Sequence, residues 1–158
     1  MFTQNETQPG PPPPRRGSEL LLSDHHHRLE ATCRDLLARA HTDDPRALAL
    51  SWIEVEAELL DHMAAEEELI LPAYAVHAPE DARRIRAAHL RIQELVTPIG
   101  VDVELHEVRL ARLRQLVELL EAHSASEDAA MYPWAVRNLA LVRQRMLYVR
   151  IGRWLARA

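Results

Sequence analysis

Four segments of this chain space their apolar residues by threes and fours, and histidine interrupts the stripe in every one. Leu59, Leu69 and Ala73 define one stripe, broken at His62 and Glu66, and all five residues fall on a single helix face. Leu116, Leu120 and Ala130 define a second, broken at His123 and Glu127. Each interruption is His-x-x-x-Glu, so an imidazole and a carboxylate one turn apart can reach one point beside the helix. Two further stripes carry one histidine each: Leu22, His26, Leu29, Cys33 and Ile85, His89, Ile92, Val96.

The two single-histidine stripes match term for term, with an aliphatic residue four before the histidine and another three after it. His26 precedes His62 by 36 residues and His89 precedes His123 by 34, and proline follows ten residues after His62 and His123, at Pro72 and Pro133. The chain therefore reads as a duplicated two-helix unit, each copy supplying His, His and Glu. Asp44-Pro45 and Pro79-Glu80-Asp81 have the form of helix starts. Pro98 and Gly100 predict a break, with the fourth helix running from about Asp102 to Ala130. No strand alternation competes. The expectation is an all-α fold: an up-down antiparallel four-helix bundle over residues 18–135, with an additional C-terminal helix over 136–158. Five of the ten prolines lie in the first 14 residues, so residues 1–17 read as a disordered, proline-rich arm.

Composition removes competing chemistries. The chain has no lysine, which excludes a P-loop, a Schiff base and a lysine general base. The lone Cys33 excludes multi-cysteine zinc and iron–sulfur sites. A net charge of −5 argues against nucleic acid as partner. Six arginines and no acid fall within residues 129–158, which makes the last helix strongly basic. The start MFTQNETQPG has no apolar signal region and no stretch approaches a membrane span, so a cytoplasmic protein is expected.

Six polar residues converging on one bundle core are costly unless satisfied together. Two ionised carboxylates need cations and four neutral imidazoles need something to ligate, and a pair of metal ions answers both demands. Imidazole with carboxylate suits iron, manganese or zinc. No histidine has Glu three residues before it, so the ferritin-like Glu-x-x-His pattern is absent.

His26, His62-x-x-x-Glu66, His89 and His123-x-x-x-Glu127, with the stretches HMAAEEELILP and HSASEDAAMYP, resemble the hemerythrin family of HHE cation-binding domains over about residues 18–135. The resemblance implies two non-haem iron ions (Fe2+/Fe3+) with a bridging oxo or hydroxo group. Glu66 and Glu127 would bridge them, with His26, His62, His89 and His123 as terminal ligands. It also implies O2, H2O2 or NO as the small ligand. Oxygen-carrying members have a second histidine one turn from the first on the third helix, where this chain has Ile85 and Gln93, and an Asp five residues after the last histidine, where Asp128 adjoins Glu127. One iron is then short of a protein ligand unless Tyr74, Tyr132 or a nearby Glu supplies it. The more open iron suits peroxide or NO better than reversible O2 carriage. Turnover of peroxide or NO, sensing, iron storage or handling, and O2 carriage all remain open at this point.

The run His25-His26-His27 leaves the first ligand as His26, which fits the repeat, or His25; His27 reads as solvated. Glu67 and Glu68 lie off the stripe, with Glu67 a candidate to back a ligand. His41, His77 and His106 read as surface histidines, and Cys33 and the three tryptophans as packing. Leu139, Val142, Met146 and Val149 are expected to cap the bundle or a homodimer, leaving the arginines of the last helix in water.

Overall fold

A computed structural model describes residues 17–40 and 44–156, with side chains from residue 21 onward. The expected arm lies outside these residues except for Gly17, which opens the first helix, and His41 also lies outside them. The described residues form seven helices and no strand: α1 (Gly17–Arg39), α2 (Pro45–Leu69), α3 (Leu71–His77), α4 (Pro79–Glu104), α5 (Leu110–Ala129), α6 (Met131–Asn138) and α7 (Leu141–Leu155). None of them is long and apolar enough to cross a membrane.

Asp44 caps α2 as its sequence predicts, its carboxylate accepting from Arg46 N at 3.2 Å with Pro45 in the first turn. The four long helices contact one another in a ring, α1 with α2 and α5, and α4 with the same two. A Cβ on Gly100, late in α4, would stand 3.3 Å from Trp52 Nε1, early in α2. Glu67, late in α2, meets His89 in the first half of α4, so these two helices run in opposite senses.

Two local expectations are corrected. Pro98 and Gly100 do not end α4, which continues to Glu104, and α5 starts at Leu110 rather than near Asp102. Burying Ile92, Val96, Ile99 and Val103 on one face, at about 1.5–3 kcal/mol each, outweighs the roughly 3 kcal/mol cost of an interior proline. The helix stops where His106 takes a left-handed φ of 57°, with Glu107 N bonding Asp102 O and His106 N bonding Val103 O.

The second correction concerns the end of α2. The stripe through Ala73 predicts one continuous helix, yet α2 stops at Ile70 (φ −108°, ψ −56°); α5 ends at Ala130 (φ −134°, ψ −60°) as expected, and a short helix resumes after each. Pro72 and Pro133 lie just beyond, and a proline ring clashes with the carbonyl four residues before it. Each break rotates the following residues, so Leu71 and Tyr74, then Met131, Tyr132 and Ala135, turn inward. Ala73 and Ala130 are left half-buried.

For α7, the expectation is that Leu139, Val142, Met146 and Val149 cap the bundle or a homodimer. Leu139 is buried, but Val142, Met146 and Val149 are exposed, and Leu147 and Ile151 pack instead. Electrostatics joins this packing. Asp61 of α2 accepts from Arg150 Nε at 2.8 Å, Arg153 at 2.7 Å and Trp154 Nε1 at 2.7 Å, which rotates α7 to bring those residues against α2. Burial works against a charge on Asp61, yet these donors draw its carboxyl down to about 2.

Two apolar clusters result. One gathers Leu29, Leu36, Trp52, Val55, Ile99 and Leu113, and the other Leu22, Leu69, Leu71, Ile85, Met131 and Ile151. Between them, on every long helix, lies the histidine–glutamate layer.

Candidate metal centre

His26, His62, Glu66, His89, His123 and Glu127 are all buried, and the fold brings all six together. They form two groups, each with four ligand atoms within 4.8 Å of one another. The first is His26, His62, Glu66 and Glu127; the second is Glu66, His89, His123 and Glu127. Both carboxylates belong to both groups. In the first, His26 Nε2 lies 3.2 Å from Glu127 Oε2 and His62 Nε2 lies 3.2 Å from Glu66 Oε1. In the second, His89 Nε2 lies 3.4 Å from Glu66 Oε2 and His123 Nε2 lies 3.1 Å from Glu127 Oε2.

The donor set fits metal cations. Glu66 Oε2, Glu127 Oε1, His89 Nε2 and His123 Nε2 are buried without a hydrogen-bond partner, an expensive arrangement for four polar atoms in one layer. Imidazole and carboxylate suit iron, zinc or manganese, so a cation in each group would satisfy them.

The electrostatics make the same demand. Burial opposes a charge on His26, but Asp128 and Glu127 beside it raise it to about 10. Burial likewise opposes one on His89, and Glu127 and Glu66 raise it to about 10. Glu66 is held well below the ordinary carboxylate range, because His62 and His89 override its burial. Protons on two imidazoles thus stand where the carboxylate pair calls for positive charge.

The family model for the hemerythrin HHE cation-binding domain matches residues 20–135. The chain belongs to this family. No curated protein and no solved structure matches it. Hemerythrin-like domains bind metal cations, and the two buried His/Glu groups are where this HHE domain can hold them.

Around the HHE groups stands a set of backing side chains, most of which sequence reasoning missed. His89 Nδ1 bonds Glu67 Oε1 at 2.8 Å, the backing role anticipated for Glu67. His26 Nδ1 faces Asp128 Oδ1 at 3.4 Å, and Asp128 accepts from Ser23 Oγ at 3.1 Å. His25 does not enter either group. Its Nδ1 meets His62 Nδ1 at 2.7 Å, behind the ligand, while its Nε2 lies 2.8 Å from Glu58 Oε1. Arg28 Nε is 3.2 Å from the same Glu58 oxygen, and Arg28 also donates to the Trp154 carbonyl of α7. His26 Nδ1 and His123 Nδ1 both lack a hydrogen-bond partner among the described residues, but His26 Nδ1 has the Asp128 carboxylate at 3.4 Å. Contacts that fix a ligand's second nitrogen set its tautomer and ring orientation. The neighbour-by-neighbour signal was present in the sequence only for Glu67 and Asp128, each adjacent to a Glu of the stripe.

Other residues separate cleanly. His27 and His77 are exposed, Glu68 pairs with Arg150, and Cys33 packs in the apolar core. Gln93 is exposed and Ile85 packs in the second apolar cluster, so neither supplies a further ligand. Tyr74 donates to Asp81, away from the centre. Tyr132 is fully buried inside it, its hydroxyl against His26, His62, Glu66 and Glu127. Burial, then the two carboxylates, push its phenol well above the usual range.

Proposed function

We propose that the chain is an up-down antiparallel four-helix bundle holding two non-haem iron ions with an oxo or hydroxo bridge. His26 and His62 are terminal on one ion, His89 and His123 on the other, and Glu66 and Glu127 bridge both. The observation that supports this most strongly is the pair of four-residue groups sharing both carboxylates. The centre reacts with a small oxidant or radical, H2O2 or NO ahead of reversibly carried O2, because no second histidine joins His89 on α4.

Bound iron would supply the redox chemistry: electrons to O2 or peroxide, or a site for NO. The protein supplies the rest. Glu67, Asp128 and the His25–Glu58 pair hold the Nδ1 side of three ligand imidazoles, leaving Nε2 free to face inward. The apolar clusters on either side keep bulk water from the layer. A cavity of about 210 Å3 between α4 and α5 has His123 in its wall, with Arg84, Arg91 and Ser126 around it. A diatomic gas or peroxide entering there stands one side chain from the centre. The exposed Val142, Met146 and Val149 of α7 are the surface through which a homodimer would form.

Metal analysis of the purified protein is expected to give two irons per chain, and zinc alone would overturn the assignment. Peroxide consumption by the iron-loaded protein should be lost in Glu66→Ala. Equal, negligible rates in both would remove the turnover reading and leave sensing or iron handling.

A further inference from the structure

The Tyr132 hydroxyl has more close neighbours than a phenol can serve. It lies 2.8 Å from His26 Nε2, 3.2 Å from His62 Nε2 and 3.4 Å from Glu127 Oε2, and it also contacts Glu66 Oε1. A phenol donates one proton and can accept from the two imidazoles, but it cannot donate to Glu66 and Glu127 at once, and all four neighbours belong to the same metal-binding group.

The distances match the edges of a coordination polyhedron. First-row ions bind nitrogen and oxygen at about 2.1 Å, which sets neighbouring ligands at right angles about 3.0 Å apart. An oxygen occupying the ion's own position would lie at the shorter distance from all four atoms, whereas a remote hydrogen-bond donor would approach only one or two. We propose that Tyr132 is a direct protein ligand of the metal ion held by His26 and His62. Its phenolic proton is released to solvent water as the oxygen–metal bond forms in place of the O–H bond, and the phenolate would add a third negative charge to those of Glu66 and Glu127. This inference rests on the iron reading above.

The local backbone explains how a tyrosine comes to stand there. On an unbroken helix, Tyr132, five residues after Glu127, would point about 140° away from it. The break at Ala130, ahead of Pro133, turns it inward. In the first unit the residue five after Glu66 is Leu71, which is also fully buried but carries no donor atom. The duplicated unit thus yields two unlike metal positions. The His26/His62 ion has a fifth protein donor, and the His89/His123 ion does not. The exogenous ligand accordingly binds at the His89/His123 ion, the one bordered by the cavity at His123.

The test loads the full chain and Tyr132→Phe with iron and oxidises it. Iron content, visible absorption and resonance Raman spectra are then recorded. Wild type is expected to hold two irons and to show a phenolate-to-iron(III) charge-transfer band with enhanced tyrosinate ring vibrations. Tyr132→Phe should lose both, and Tyr74→Phe should keep both. Two irons in wild type without tyrosinate vibrations overturn the proposal and leave the iron reading standing. So do vibrations that persist in Tyr132→Phe. A wild-type chain that takes up no iron overturns both. Because the wild-type vibrations decide the matter alone, the test holds even if Tyr132→Phe fails to fold.

Discussion

Replacing His25 with leucine separates three roles that the run His25-His26-His27 allows. His25 is fully buried, with Nδ1 at 2.7 Å from His62 Nδ1 and Nε2 at 2.8 Å from Glu58 Oε1. With His62 Nε2 turned toward a metal ion, its Nδ1–H donates to His25 Nδ1, and His25 Nε2–H then points to Glu58. Leucine leaves the His62 N–H buried without an acceptor, at a cost of about 1–3 kcal/mol. Loss of such a backing group weakens metal affinity about 10- to 100-fold, which is about 1.4–2.8 kcal/mol at 1.4 kcal/mol per decade. The assay is a metal titration against a competing chelator, with His27→Leu as the exposed control. His25→Leu should still bind two ions per chain, one of them 10- to 100-fold more weakly, and His27→Leu should match wild type. Loss of one ion outright would make His25 a ligand. Unchanged affinity would refute the argument that the His62–His25–Glu58 chain holds the ligand in place.

Three further outcomes follow from the packing. Ile151→Ala removes a fully buried anchor of α7 and should cost about 2–4 kcal/mol, read as a lower midpoint in denaturant unfolding. Against its burial, the donors around Asp61 draw its carboxyl from the ordinary 3.8 down to about 2, so its hold on α7 is complete above the higher value and is lost as pH falls through the lower. In a chain with Trp52→Phe and Trp134→Phe, Trp154 fluorescence should change through that window; a signal flat across it would show that Asp61 does not dock the helix. Pro98→Ala should raise stability by about 1–3 kcal/mol, since α4 is already continuous through that position; a lower thermal midpoint would show that the proline fits a local distortion.

The ligand layer was legible because a helix of known period turns linear spacing into a face. His62 and Glu66, or His123 and Glu127, need no tertiary information to be placed together. That logic fails wherever the period is interrupted. Tyr132 is off the Glu127 face on any regular helix, and only the break at Ala130 brings it inside. Which face of α7 meets the bundle was not legible for a different reason. Val142, Met146 and Val149 make an acceptable stripe, as do Leu147 and Ile151, and the choice between them is made by Asp61 on another helix. Pro98 was overweighted because its cost is local, whereas the burial that offsets it spans four residues and three neighbouring helices. His25 and His26 are adjacent and both buried. Only the position of α2 decides which enters the cluster and which stands behind it.

The polar layer also divides the interior. Leu29, Trp52 and Ile99 lie on one side of it and Leu71, Ile85 and Met131 on the other, so neither half of the apolar core touches the other except across the histidines and glutamates. In the metal-free chain, one half can loosen without pulling the other apart, and amide exchange would find two independently opening units. In the proposed two-ion centre, side chains from all four long helices would be tied through shared carboxylates, and the halves would open together. Metal binding would then turn the two halves into a single cooperative unit.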